Sequence, residues 1–135
     1  PGAPDELSLY AVERYWHGPG SVLRRYTLRP DGFVSINAPM SGGTLVTHPI
    51  VFTGQSLHVN FASSAAGRLR VAIEMPDGTP ITGHTLDNCN ALFGDTLDRQ
   101  VIWENGAEVG ALAGQRVRLV FELHDADLYS YQFQA

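Results

Sequence analysis

The feature that most constrains this chain is a side-chain period of two that persists along almost its whole length. Over residues 68–75, Leu69, Val71, Ile73 and Met75 alternate with Arg68, Arg70, Ala72 and Glu74. Over residues 116–124, Val117, Leu119, Phe121 and Leu123 share one face. Successive side chains of a strand point to opposite sides, so the pattern describes strands with one buried and one wetted face, as antiparallel sheets require. Leu57, Val59 and Phe61 alternate in the same way with Ser56, His58 and Asn60, and Tyr129, Tyr131 and Phe133 with Leu128, Ser130 and Gln132. Weaker strands are expected near residues 7–14, 23–29, 33–38, 44–52 and 99–104.

Turn chemistry separates these runs. Pro30-Asp31-Gly32 and Pro76-Asp77-Gly78 read as hairpin turns, Pro presetting φ and Gly supplying a positive one. Thr53-Gly54-Gln55, Ala66-Gly67 and Asn105-Gly106 are further breaks. Helical turns are offered only at 85–91 and 108–113, the latter closed by Gly114. About nine or ten short strands follow, and with them an all-β fold: an antiparallel two-sheet β-sandwich, of jelly-roll type. With 135 residues, 44% of them apolar, the chain has material for one core, so residues 1–135 are expected to form a single domain. Its opening, Pro1-Gly2-Ala3-Pro4, suits a module cut from the C-terminal part of a longer polypeptide.

Charge excludes one class of partner. All nine basic residues are Arg, against fourteen Asp and Glu, for a net charge of -5. Residues 68–135 hold the whole deficit. Phosphate neutralisation needs a basic surface, so nucleic acid is not expected as a partner. The apolar runs are too short for a membrane helix, and no membrane partner is expected. The single cysteine, Cys89, leaves no intramolecular disulfide and reads as a small buried thiol.

Chemical motifs are few. The chain has no phosphate loop, nucleophile elbow, His-Glu-x-x-His or Cys-x-x-Cys. His17-Gly18-Pro19-Gly20 lacks the Lys and the parallel strand context of a phosphate cradle and reads as a surface turn. His48, His58 and His124 have no ligand spacing, and His58 is expected to face outward from its strand. Glu74, Glu104 and Glu122 fall at outward or terminal strand positions, where a solvated face outweighs a glycosidase dyad.

Two constellations stand above this background. Asp87-Asn88-Cys89-Asn90, followed by Asp95 and Asp98, is a loop rich in side-chain oxygens; Asp87, Asn90 and Asp95 are its candidate calcium ligands, although capping of turns is the commoner use of such residues. The other is aromatic and Arg-rich: Tyr10, Tyr15, Trp16, Arg24 and Arg25, with Arg99 and Trp103 beyond the acidic loop. Sugars stack their apolar faces on flat rings while guanidinium forks grip hydroxyls, so Tyr15, Trp16, Arg24, Arg25, Arg99 and Trp103 are the candidate ligand-binding residues. Trp103 alternates with Val101 and is expected to be at least partly buried, whereas Trp16 beside its Gly-Pro-Gly turn is the candidate for exposure.

The run Arg24-Arg25-Tyr26-Thr27-Leu28-Arg29-Pro30-Asp31-Gly32-Phe33-Val34-Ser35, then Gly94-Asp95 before Trp103, and Val117-Arg118-Leu119-Val120-Phe121 continuing to Asp127-Leu128-Tyr129-Ser130, resemble a C-terminal accessory β-sandwich module of bacterial β-propeller glycoside hydrolases of the fructan and arabinan type. The resemblance spans nearly the whole chain and carries no catalytic signature. It implies a noncatalytic carbohydrate-binding module whose partners are a polysaccharide or oligosaccharide and an adjacent catalytic domain, in an extracellular or periplasmic setting. It assigns no binding residue. A structural sandwich that buttresses the catalytic domain and a small polysaccharide-degrading enzyme are the alternatives; an exposed aromatic platform favours binding, paired carboxylates in a groove an enzyme.

Overall fold

The computed structural model describes residues 5–16, 18–106 and 108–135. The chain divides into two compact units, Pro1–Val34 and Ser35–Ala135. The first is an antiparallel ribbon of β1 (Leu7–Glu13) and β2 (Val22–Leu28), with Leu7 opposite Leu28 and Glu13 opposite Val22. Two strands cannot enclose a core, and no residue of either is buried.

The second unit holds the core and five strands: β3 (Ile36–Ala38), β4 (Gly43–Val46), β5 (Ser56–Glu74), β6 (Asp95–Gln100) and β7 (Arg118–Gln134). They form an antiparallel sheet in the order β3-β7-β5-β6, with β4 also beside β7. β5 and β7 pair along nearly their full length, from Ser56 opposite Gln134 to Glu74 opposite Arg118. Leu57, Val59, Phe61, Leu69, Val71 and Ile73 from β5 and Leu119, Phe121, Leu123, Ala126 and Leu128 from β7 all enter one hydrophobic cluster. The unit is thus almost all β and packs as a sandwich-like fold, as the alternation predicts.

Fewer and longer strands form than the turn residues suggest. Ala66-Gly67, read as a break, lies inside β5, where residues 64–67 bulge out between the pairs Ser63–Ala126 and Arg68–His124. Asp125, alone opposite the bulge, takes φ +43°. Gly67 is buried there because nothing larger fits: a Cβ on it would stand 2.3 Å from the Asp125 carbonyl oxygen. Since one residue faces four, β7 changes its inward face at this point, from Leu123 to Ala126. It changes again at Tyr129, which stands between the pairs Phe61–Leu128 and Asn60–Ser130, so Leu128 is buried while Tyr131 and Phe133 pack on the core from beyond.

Pro76-Asp77-Gly78 is a hairpin turn, with Gly78 N–H donating to the Met75 carbonyl at 2.9 Å and Glu74 bridged to Pro80. Met75, expected on the buried face, is 39% exposed because the strand ends there. Pro30-Asp31-Gly32 also turns, Gly32 N–H donating to Arg29 O at 3.0 Å, but β2 pairs with β1 and β3 with β7, so it closes no hairpin. Of the two helical turns expected, Gly110–Leu112 is a 3-10 turn followed by Gly114 at φ +79°. Residues 85–89 make a single turn in which Cys89 N–H donates to Thr85 O at 3.1 Å.

Candidate functional site

The aromatic candidates of the ribbon sit where β1 turns toward β2. Arg14 leaves β1 at φ +57°, and the following Tyr15 and Trp16 rings meet edge to face with centroids 5.2 Å apart and planes at 86°. Trp16 is 89% exposed and Tyr15 67%. The edge-to-face contact sets one ring against the other, and most of the indole surface remains in solvent. His17 lies outside the described residues; the Gly18–Gly20 segment after it is a 3-10 turn.

Arg24 and Arg25 do not form a pair of forks on one surface. As neighbours in a strand they point to opposite faces of the ribbon. Arg24 shares its face with Glu13, to which it is ion-paired at 3.1 Å, and the Glu13 carboxylate also accepts the Tyr26 hydroxyl. That acceptor stabilises the protonated phenol and raises the Tyr26 pKa. Arg25, on the other face, donates to Ser8 Oγ and pairs with Glu6.

The remaining candidates lie in the second unit. Trp103 is 1% exposed, and its indole N–H donates to the Val71 carbonyl at 2.9 Å. Its expected burial is complete, which corrects its place among the ligand-binding candidates: a ring sealed in the core offers no face to a sugar. Arg99 is exposed on β6, opposite Val59. Asp87 lies on the turn after Thr85, and Asp95 opens β6 opposite Ala62. Asn90 N–H donates to Ile102 O at 2.9 Å, its side chain exposed. Capping explains part of this loop: Thr85 Oγ1 donates to Asn88 Oδ1 at 2.7 Å and accepts the Asn88 N–H, while the Asn88 amide donates to Glu104 at 2.9 Å. Among the described residues no three His, Cys, Asp or Glu side chains gather as a metal site.

Of the carboxylates weighed as a dyad, Glu74 and Glu122 have cross-strand partners instead. Arg70 sits directly opposite Glu122 and Arg118 directly opposite Glu74, each pair at 2.7 Å. Cys89 is buried; desolvation pushes its thiol pKa up, outweighing the Val71 N–H that donates to its sulfur at 3.2 Å.

A polar cluster on the outer face of β5 and β6 was missed by the motif search. Ser56 and His58 alternate with the buried Leu57 and Val59, and so share the outward face. Asp98 reaches them from β6, where it lies two residues from the Gln100 that opposes His58; Arg99 opposes Val59 and Thr96 opposes Phe61, so a bulge sets residues 97 and 98 both opposite Asn60. His58 Nδ1 lies 2.6 Å from Asp98 Oδ1 and Nε2 lies 3.2 Å from Ser56 Oγ. The Gln134 amide, from β7, donates to the same Asp98 oxygen at 3.2 Å. The only sequence trace of this arrangement is Ser-x-His within a strand.

Comparison with family models, with curated proteins and with solved structures gave no match to this chain.

Proposed function

We propose that this chain is a carbohydrate-binding module, noncatalytic toward glycosidic bonds and associated with a glycoside hydrolase, and that Tyr15 and Trp16 form its sugar-stacking surface. The observation that carries the reading is the exposure of Trp16, 89%, with Tyr15 in edge-to-face contact beside it. An indole left in water at a loop offers a flat apolar face of the kind on which the C–H surface of a pyranose or furanose packs. Arg24 lies on the neighbouring strand with part of its fork exposed beyond Glu13 and supplies donors for hydroxyls. The ligand is a neutral or weakly charged polysaccharide, and the setting is extracellular or periplasmic.

A second reading has its own support. Leu7, Leu9 and Val22 on one face of the ribbon and Tyr10, Val12 and Leu23 on the other are all exposed, which suits a module that buttresses an adjacent catalytic domain. Titration with levan, inulin and arabinan separates the two. The chain has two Trp, and Trp103 is sealed, so a ligand-dependent change in fluorescence must vanish in Trp16→Ala if Trp16 is the anchor. Binding should weaken by about 1–3 kcal/mol in that variant, with its melting temperature unchanged and no reducing ends released by either protein. No binding to any of the glycans would transfer the case to the buttress.

A further inference from the structure

The outward cluster on β5 and β6 carries a chemistry that glycan binding does not use. We propose that Ser56 is an activated nucleophile toward small acyl esters, with His58 as its general base and Asp98 as the positioning residue. An ionised carboxylate only accepts hydrogen bonds, so the 2.6 Å contact requires the proton on His58 Nδ1. In neutral imidazole the other nitrogen is then a lone pair, and the 3.2 Å contact is Ser56 Oγ–H donating to Nε2. Tautomer, orientation and order are those of an acyl-transfer triad: carboxylate on Nδ1, hydroxyl on Nε2.

The backbone sets this arrangement on one face. Ser56 and His58 are two apart on a strand whose intervening Leu57 is fully buried, so the strand cannot turn over to separate them without exposing the core. Asp98 stands two residues from Gln100, the residue opposite His58, beside the β6 bulge, and Gln134 donates to the carboxylate from the opposite side of β5. Bulges are common beside reactive sites. The imidazole is mostly covered, at 15% exposed, while Asp98 is 55% exposed.

In the first step Ser56 Oγ forms a bond to the ester carbonyl carbon as its proton passes to His58 Nε2. The tetrahedral adduct collapses with cleavage of the bond to the leaving oxygen, which takes that proton and departs as the alcohol. Water then attacks the Ser56 acyl ester, His58 accepts its proton, and the proton returns to Ser56 Oγ as the acid is released. The sum is ester plus water giving acid plus alcohol. The acceleration expected from the oriented base alone is on the order of 10²–10⁴-fold over the ester in buffer.

The test uses the whole chain with a fluorophosphonate probe and 4-nitrophenyl acetate. Wild type should carry the phosphonyl adduct on Ser56 when the labelled protein is mapped by mass spectrometry, a readout that needs no variant. Ester hydrolysis should fall at least tenfold in Ser56→Ala and in His58→Gln. Asp98→Asn should also fall, its His58 ¹⁵N spectrum should move from the Nδ1–H to the Nε2–H tautomer, and phosphonylation of Ser56 should slow in parallel, a loss of nucleophile reactivity that a merely structural role would not produce. An unlabelled Ser56, or Ser56→Ala hydrolysing the ester as fast as wild type, would overturn the proposal and leave the cluster as a surface hydrogen-bond network. Neither result bears on Trp16, whose titration is read separately.

Discussion

The ribbon of residues 5–34 and the sandwich of residues 35–135 are both built of strands and come out differently. β1 and β2 alternate less strictly than β5 and carry apolar residues on both faces, every one of them at least partly exposed, whereas the β5 residues Leu57, Phe61, Leu69, Val71 and Ile73 lose all contact with solvent. The difference lies in what covers the strands. A period of two sorts side chains between two faces, but a face becomes dry only when more chain packs on it, as Phe52, Cys89, Leu92, Trp103 and Val109 do on the inward residues of β5 and β7. Alternation specifies strand, and topology decides burial.

The sharpest way to break this comparison is to truncate matched residues in the two regions. Phe121→Ala should cost about 3–5 kcal/mol in denaturant unfolding, because a filled core site becomes a cavity. Leu23→Ala on the ribbon should stay within about 0.5 kcal/mol of wild type. Equal costs would mean that the ribbon buries its apolar residues in solution. A smaller effect is expected at the β5 bulge, where Gly67→Ala sets a methyl against the Asp125 carbonyl. The backbone must shift, at a cost of roughly 1–3 kcal/mol, and amide exchange should quicken at residues 124–126; an unchanged midpoint would argue against the close approach. Removing the Arg70–Glu122 pair by Arg70→Met should matter less again, about 0.2–1 kcal/mol for one cross-strand pair, and the loss should shrink in high salt.

The finest distinction is in pH. In the sandwich hairpin the Thr79 backbone N–H, donating at 2.9 Å, and then the Thr79 hydroxyl hold the Asp77 carboxyl below its usual range. A depressed folded pKa contributes stability above the unfolded value of about 3.9 and loses it as pH falls through the folded value. Acid melts should therefore separate wild type from Asp77→Asn above about pH 4 and bring them together below it. In the ribbon the Tyr26 phenol is shifted up by its hydrogen bond to Glu13, so its contribution is complete below the ordinary phenol value of about 10 and disappears as pH rises through the folded one. Tyr26→Phe should abolish that alkaline step in ribbon amide exchange without touching the acid limb. A single pH response shared by both regions would defeat the distinction.

How far the fold was legible follows from the same two regions. The inward faces of residues 57–61, 69–73 and 119–123 could be read directly, because within a strand parity is conserved. It fails at Asp125, which alone faces four residues of β5, and at Tyr129, which is one residue too many on β7, and nothing local in either residue announces that its partner strand is out of step. Gly67 was visible but ambiguous, since Gly inside an alternating run serves a turn or a bulge equally well. The opposite facing of Arg24 and Arg25 follows from the same parity, since the two are neighbours in β2. Ser56 and His58 could be placed on one face by parity alone, but Asp98 joins them only through the β6 register, which sequence spacing does not contain.

β7 lies at the centre of the sheet, pairing with β3, β4 and β5. Its nearest ladder partner, the Glu74–Arg118 pair, spans 44 residues of chain, and Ser35 reaches Asp127 across 92. The closing of such loops has to precede any reward from contact, which places folding of topologies of this kind in the millisecond-to-second range, roughly. A hairpin of neighbouring strands such as β1–β2 forms in about 1–10 µs. The consequence is one of timing: the ribbon can be complete while β3, β4, β5 and β6 still wait, edges open, for the strand that all but β6 pair with directly.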